Sequence, residues 1–280
     1  MIRQFYLENE YGQRWDLNNP ATGLLISPDG LGYSMNSSYA AIGCSFIKNY
    51  MKEKQQEISG TVVFGTQTPY VVCNQFIMFA NAAAELKLIY KTDAGEYYRD
   101  VDLVDFEKSE MTEARVLECE VSFRCRGLFY SNQVDRFVVS RSEGELRWSF
   151  TWPARFNDYT LRKVRINNAG HVPAAFEVEL FGYCENPSVT LSQNGRELYQ
   201  VKFPTILQQG ERILHSSVDG NLYCLRSNAN GETENFTAQL DINNTNFFKL
   251  PVGDSQLDFT SDTGATNRTV LTVYRFYRAV

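Results

Sequence analysis

The sequence predicts a mainly β protein of two domains: an N-terminal β-sandwich-like domain with one α-helix, and a C-terminal β-sandwich. At 280 residues, the chain is longer than one typical domain. Aromatic residues make up 14% of it, and its short apolar stretches are separated by glycine- and asparagine-rich turns, a pattern typical of β structure. Only one segment has helical periodicity.

The N-terminal segment Gln4–Leu17 has two short apolar runs on either side of the turn residues Asn9–Gly12, so it is expected to form a β-hairpin. The glycine- and proline-marked segment Thr22–Tyr33 is too irregular to assign. Strand patterns follow over Tyr39–Tyr50 and Gln56–Phe64.

The charged segment Lys48–Gln56 joins these two strands. Two interpretations are equally open: an extended, solvent-facing arm, or an exposed hairpin loop. In either case its charges discourage unwanted pairing at a strand edge.

The segment from Thr68 to about Ala84 is the one good helix. Thr68 can cap it, and Pro69 stands at the first helical position, where its missing N–H costs nothing. Apolar residues at spacings of three and four predict one buried face, and these are Tyr70, Cys73, Phe76, Ile77 and Ala80. A helix packed on a sheet is expected.

Strands are predicted from Leu86, over Tyr97–Phe106, and over the alternating segment Arg115–Phe129. The alternation ends near Ser131–Gln133. The domains are therefore predicted as residues 1–133 and 134–280.

The second domain is expected to be entirely β. Its predicted strands are Asp135–Ser140, Leu146–Trp152, Leu161–Asn167, Ala174–Phe181, Ser188–Ser192, Glu197–Phe203, Glu211–His215, Asn221–Leu225 and Thr269–Arg278. Turn dipeptides lie between several of them, such as Asn194–Gly195, Asp219–Gly220 and Asn230–Gly231. Short strands at this spacing indicate a sandwich.

The charge and the termini exclude several classes. The net charge is −6, and neither half is basic, so direct nucleic-acid binding is not expected. The first ten residues have no apolar core of a signal peptide, and no run reaches the roughly 18 apolar residues of a membrane-spanning helix. Synthesis and folding in the cytoplasm, with no membrane partner, are the expectation.

The six cysteines have neither CxxC pairs nor metal-ligand spacing. They are Cys44, Cys73, Cys119, Cys125, Cys184 and Cys224. Cys119 and Cys125 share a strand face but lie about 20 Å apart along it, too far for a disulfide. All six are interpreted as reduced and mostly buried.

The ionisable residues do not predict a catalytic or metal centre. His171 and His215 are the only histidines, and no triad spacing joins them to a nucleophile. Asp100, Asp102 and Asp105 are spaced like the ligands of a calcium site. The glycine and the closing glutamate of an EF-hand are missing, so a solvated strand face is favoured. Asp254 and Asp258, in a predicted C-terminal loop, are likewise considered as calcium ligands and not favoured as such.

An aromatic stripe lies in the second domain at Trp148, Phe150 and Trp152. Even spacing puts the three side chains on one face of a strand, which suits either a sugar-stacking platform or, as is more common, a core face.

No nucleotide-binding, GxSxG or HExxH motif is present. The prediction is therefore a structural protein and not an enzyme, with no catalytic, cofactor-binding or metal-binding residues and no cofactor. A monomeric carbohydrate-binding module is the alternative. A glycan or peptide hydrolase is the third hypothesis, because paired acids need be close only in space.

Several segments, in order along most of the chain, resemble the distal tail (Dit) family of siphophage-type tails. In the first domain they are Phe5–Leu17, Pro28–Tyr33, Ile58–Phe64, the helix with Tyr70, Phe76 and Phe79, Leu86–Tyr90 and Glu107–Lys108. In the second they are Ile166–Gly170, Phe181–Ser188 and Val273–Val280.

The resemblance implies a virion structural protein at the tail tip, or baseplate, whose N-terminal domain forms a hexameric ring. It implies a C-terminal sandwich of galectin or carbohydrate-module type, a fold that need not bind sugar. The implied partners are further copies of the chain, the tail tube protein, the tail-associated lysin and, often, receptor-binding proteins. The family's ring carries a β-hairpin arm where this sequence has Lys48–Gln56, and it implies no catalytic residues.

Overall fold

The computed structural model describes residues 3–131, 135–140, 163–241, 243–263 and 268–280. The chain divides into two compact units. Unit 1 contains Met1–Asn132 together with Phe276–Val280, and unit 2 contains Gln133–Arg275. The predicted mainly β architecture with a single α-helix is confirmed for the described residues.

Unit 1 begins with eleven strands and the helix. They are β1 (Gln4–Asn9), β2 (Arg14–Asp16), β3 (Asn18–Asn19), β4 (Gly23–Asp29), β5 (Met35–Ile42), β6 (Ser45–Glu53), β7 (Glu57–Phe64), α1 (Pro69–Asn81), β8 (Leu86–Lys91), β9 (Glu96–Lys108), β10 (Leu117–Cys125) and β11 (Phe129–Tyr130).

One antiparallel sheet in the order β2-β1-β8-β9-β10-β7-β4-β3 forms the body of unit 1. The sheet curls until its two ends meet at Leu17. The Leu17 amide donates to the Phe5 carbonyl at 3.1 Å, and the Leu25 amide donates to the Leu17 carbonyl at 3.0 Å. The curled sheet thereby encloses an apolar interior.

Helix α1 covers this interior with the face that the sequence predicted. Cys73, Phe76 and Ala80 are buried, and the Phe76 ring lies 5.7 Å from the Trp15 ring. Pro69 stands at the first position as expected, but the side chain of Thr68 makes no capping hydrogen bond, so that part of the prediction is wrong. Thr68 is still the residue that precedes the first helical position, and its amide donates to the Thr66 hydroxyl at 3.0 Å.

The described part of unit 2 contains twelve strands and one 3-10 turn. The strands are β12 (Asp135–Ser140), β13 (Lys163–Asn168), β14 (Ala175–Phe181), β15 (Cys184–Glu185), β16 (Ser188–Gln193), β17 (Arg196–Lys202), β18 (Ile206–Leu207), β19 (Arg212–Val218), β20 (Asn221–Ser227), β21 (Thr233–Asn235), β22 (Gly253–Thr260) and β23 (Arg268–Tyr274), with the turn at Thr237–Gln239.

Ten of these strands form the predicted β-sandwich, and β15 and β18 pair with each other. One sheet has the order β12-β23-β14-β19-β20-β21 and the other β13-β22-β16-β17, all antiparallel. Side chains of both sheets share one buried core, for example Phe176 and Leu271 from the first and Leu191 and Phe259 from the second. Each sheet turns one face towards this core, and this explains why apolar and polar residues alternate along the strands.

Two turn predictions are confirmed by backbone geometry. Asn194 and Gly195 have φ values of 53° and 77°, which is the two-residue hairpin geometry between β16 and β17. Gly220, with φ of 77°, lies between β19 and β20.

The last strand, β24 (Phe276–Tyr277), pairs with β11 in the sheet of unit 1, whereas the predicted boundary places residues 276–280 in the second domain. Tyr277 stands opposite Phe129, and its ring meets Tyr97 edge-on at 5.1 Å. Sequence periodicity alone does not reveal this return, because a strand pattern does not say with which sheet the strand pairs.

Candidate interaction surface

The three aspartates of strand β9, considered above as calcium ligands, each lie against a different neighbour. Asp100 accepts a hydrogen bond from the Tyr130 hydroxyl at 2.9 Å, and Asp102 lies 3.7 Å from the Arg126 guanidinium. Asp105 lies beyond a register shift between β9 and β10 and faces Ser122. The favoured interpretation, a solvated strand face, describes these contacts.

Asp254 and Asp258 lie on strand β22, so the predicted C-terminal loop is wrong. Asp254 accepts from the Asn167 side chain at 2.7 Å, and Asp258 lies 3.5 Å from Lys163. Both partners are on the adjacent strand β13. The segment escaped the strand prediction because its apolar residues alternate with aspartates, glycine and serine, which favour loops.

The two histidines differ in their burial. His171 is exposed, whereas His215 is 1% exposed and lies among Phe176, Phe203 and Phe247. The Asn246 carbonyl is 3.0 Å from His215 Nε2. Burial lowers the pKa of His215 from its usual 6.5 to about 4, so the ring is neutral at pH 7.

Five of the six cysteines are buried and unbridged, and Cys44 is exposed. Burial raises the pKa of the Cys119 thiol to about 12. Within the described ranges, no three His, Cys, Asp or Glu side chains are grouped as a metal site. The helix of 13 residues is too short to cross a membrane, and no other helix of the described chain qualifies. Trp148, Phe150 and Trp152 lie outside the described residues.

The most distinctive surface is a β-ribbon, the hairpin of β5 and β6 (residues 35–53). These two strands pair with each other and form a sheet of their own. At about 3.3 Å per residue the ribbon is about 25–30 Å long. The turn is at Gly43, whose φ of 60° is a left-handed conformation that glycine adopts readily.

The structure therefore corrects two expectations for this region. The predicted strand Tyr39–Tyr50 is interrupted by the Gly43 turn, and the first six residues of Lys48–Gln56 belong to strand β6, which returns to the root of the ribbon. Of the two interpretations, the solvent-facing arm describes the structure, but the arm begins nearer the N-terminus than predicted, at Met35. A single glycine among apolar residues was the available signal for this turn.

Large apolar side chains project from both faces of the ribbon. Directly opposed residues share a face, and the pairs Ala40–Ile47 and Ala41–Phe46 lie on opposite faces. The first face carries Ile42, Ile47 and Tyr50, and the second carries Tyr39, Phe46 and Met51. All six are exposed, Phe46 most of all at 77%.

An arm with this composition is unfavourable in water by itself. An isolated two-stranded hairpin is at best marginally stable. Contiguous exposed apolar surface is rare on monomeric proteins and marks sites of association. Because both faces are apolar, covering only one would leave the other exposed. The arrangement suits a ribbon that is enclosed by partner surface on both sides.

The root of the ribbon is fixed to unit 1 by polar contacts. The Lys54 amide donates to the Ser34 carbonyl at 3.0 Å. Glu53 pairs with Arg278, from the segment after β24, at 3.0 Å. The Arg278 guanidinium also lies 5.7 Å from the Tyr33 ring centroid. The C-terminal segment thus holds both sides of the root.

Replacing Arg278 by glutamine is expected to loosen this root without unfolding unit 1. The lost ion pair and cation–π contact are each worth about 0.5–1 kcal/mol at a partly exposed site. Amide hydrogen exchange at residues 53–55 should be about two- to tenfold faster. The matched control is Arg212→Gln, since Arg212 pairs with Glu179 at 3.4 Å and lies 6.0 Å from the Phe181 ring in unit 2. Unchanged exchange at the root in Arg278→Gln would contradict the assignment.

Comparison with known families gives one match. Residues 4–126 match the model of the family described as "Distal tail protein, N-terminal domain". This range includes the curled sheet, helix α1 and the ribbon. No curated protein sequence matches the chain significantly.

Two solved structures share the fold over nearly the whole chain. The SPP1 Dit (gp 19.1) protein, described as a paradigm of the hub adsorption apparatus in phages that infect Gram-positive bacteria, is 12% identical with a TM-score of 0.65. The alignment covers 96% of this chain and 98% of that one. A chain of the phage P2 baseplate in its activated conformation with Ca is 14% identical with a TM-score of 0.58 and full coverage of both chains. These likenesses include the fold of unit 2, which the family match does not reach.

Proposed function

Residues 4–126 of this chain form the N-terminal domain of the distal tail protein family, and on that premise we propose that the protein is a structural subunit of a phage tail tip that assembles into a ring. The role is that of a hub in the virion and not of an enzyme. The subunits are synthesised in the host cytoplasm and assemble at the end of the tail.

The observation that carries the proposal is the ribbon with two apolar faces. A projecting ribbon that binds a different surface of the next subunit makes a heterologous contact. Such contacts produce a closed ring when the rotation between subunits divides a full turn. Six subunits, each rotated by about 60°, are the arrangement that the family resemblance implies.

The ring would provide surfaces for further tail components. We propose the tail tube protein and the tail-associated lysin as neighbours, with receptor-binding proteins bound further outward. The support for this part is the likeness of fold to the hub and baseplate proteins named above. Unit 2 is a sandwich that would project from the ring as a docking module or spacer.

The experiment is a mass measurement combined with electron microscopy of the purified full chain. Light scattering after size exclusion is expected to give about six times the subunit mass of 32.1 kDa. Negatively stained particles should show a ring with a central hole. A protein that remains strictly monomeric at high concentration, with no rings in the images, would contradict the proposal and favour the monomeric carbohydrate-binding alternative.

A further inference from the structure

Arg99, on strand β9, is a buried charge with incomplete pairing. The residue is 1% exposed. Its Nε donates to the Gly127 carbonyl at 2.8 Å, and its guanidinium lies 4.7 Å from the Phe129 ring centroid. Nη1 is buried and has no hydrogen-bond partner, and none of the ion pairs among the described residues includes Arg99. A buried guanidinium normally has a carboxylate partner, because an unpaired charge is costly to bury.

A pocket of about 350 Å³ adjoins Arg99 at the root of the ribbon, within unit 1. Its wall is held in place by two hydrogen bonds. The Gln55 side chain donates to the Cys125 carbonyl at 3.2 Å, and the Cys125 amide donates to the Gln56 carbonyl at 3.0 Å. The pocket is therefore part of the sheet framework and not a gap between loose side chains.

The charges around this pocket favour an anion. Glu53, its one acidic lining residue, is paired with Arg278, and its charge also acts on Arg99, where burial lowers the pKa more than Glu53 raises it. Arg126 lies within 3.8 Å of two carboxylates. Two further lining cations, Lys54 and Arg99, have no ion pair among the described residues. The pocket is thus positive, with its least exposed cation at Arg99.

We infer that this pocket binds a carboxylate, with the Arg99 guanidinium as its principal donor. A planar carboxylate matches the fork of a guanidinium and supplies an acceptor and a negative charge for the buried Nη1. The carboxylate has two possible sources: an acidic side chain of a neighbouring copy of this chain, or a small free carboxylate.

Acetate is the probe for this site. Saturation-transfer NMR on the full chain should show transfer to the acetate methyl group. The unfolding midpoint of unit 1 should rise by about 5 °C when acetate exceeds its dissociation constant about tenfold, with chloride at equal ionic strength as the reference. Arg99→Met is expected to abolish both effects, and the exposed pair variant Arg212→Gln in unit 2 should retain them.

A second variant keeps the test valid if Arg99→Met does not fold. Gln55→Glu puts a carboxylate in the pocket, at an exposed position, and gives up the hydrogen bond from Gln55 to the Cys125 carbonyl. It is expected to fold and to remove the acetate effects, because its own carboxylate competes for the Arg99 guanidinium.

Subunit mass at high acetate concentration distinguishes the two sources. A fall in mass with acetate indicates that a neighbouring copy supplies the carboxylate, whereas binding at constant mass indicates a free ligand. The inference is overturned if acetate gives neither saturation transfer nor a higher midpoint nor a change of mass, or if Gln55→Glu binds acetate as the unmodified chain does. The ring proposal is tested separately, by the mass and the images of the protein without acetate, so failure of acetate to bind does not contradict it.

Discussion

An aspartate in place of either Phe46 or Ile47 is expected to disperse the assembly into monomers. The two side chains lie on opposite faces of the ribbon and are 77% and 53% exposed in the subunit. In an enclosed ribbon each would be buried against a partner. A charge at such a contact costs at least what alanine costs at an interface hot spot, about 2–4 kcal/mol, so association should weaken roughly 30- to 1000-fold.

Light scattering as a function of concentration measures this effect, and the unfolding midpoint of the monomer should stay within about 1 °C of the original. The matched control is Met78→Asp, because Met78 is 71% exposed and apolar but lies on helix α1. Loss of assembly only for Phe46→Asp would mean that one face alone is covered. Assembly that survives both substitutions would remove the ribbon from the interface.

Acidification is expected to destabilise unit 2 through His215. The folded-state pKa of about 4 lies below the unfolded value of 6.5, so the unfolded chain binds this proton more readily. Its stabilising contribution is complete above pH 6.5 and is lost as the pH falls towards 4. Between pH 7.5 and 4.5 the loss is about 2–3 kcal/mol.

The measurement is urea unfolding of the full chain at pH 7.5 and 4.5, compared with His215→Phe. Phenylalanine keeps a ring against Phe247, whose plane is within 9° of the histidine ring at 5.0 Å between centroids. The variant loses the bond to the Asn246 carbonyl, so it is less stable at pH 7.5, but the difference should shrink or reverse at pH 4.5. His171→Gln is the control, since His171 is exposed. Equal pH dependence in all three proteins would contradict the assignment to His215.

The helix shows how far sequence reasoning extends. The spacing of Cys73, Phe76 and Ala80 specifies which side is buried, because the helical period alone brings these side chains to one face. The start of the helix at Pro69 also depends only on neighbouring residues, because proline fits the first helical position. The side chain of Thr68 stands at the predicted N-cap position but makes no capping bond, since the backbone conformation decides whether a hydroxyl can reach the free amides of the first turn.

The candidate surface could be predicted only in part. The charges of Lys48–Gln56 predicted either an exposed arm or an exposed hairpin loop. The turn at Gly43–Cys44, before this segment, was missed because Tyr39–Tyr50 is apolar enough to be one continuous strand. Apolar side chains ordinarily imply burial within the same chain. Here they are exposed on both sides of a ribbon, a condition that a pattern of residues cannot distinguish from a core strand.

The sequence by itself determined the mainly β class, the single helix, several hairpin turns and the absence of recognisable catalytic motifs, because all of these depend on residues within a few positions of one another. Only the tertiary structure decided three other features: the pairing of Tyr277 with Phe129, the contact of Arg278 with Glu53, and the unpaired guanidinium of Arg99 beside its pocket. Each depends on strands that are distant in sequence. Strand pairing between distant segments is set by the packing of the whole sheet and not by local periodicity.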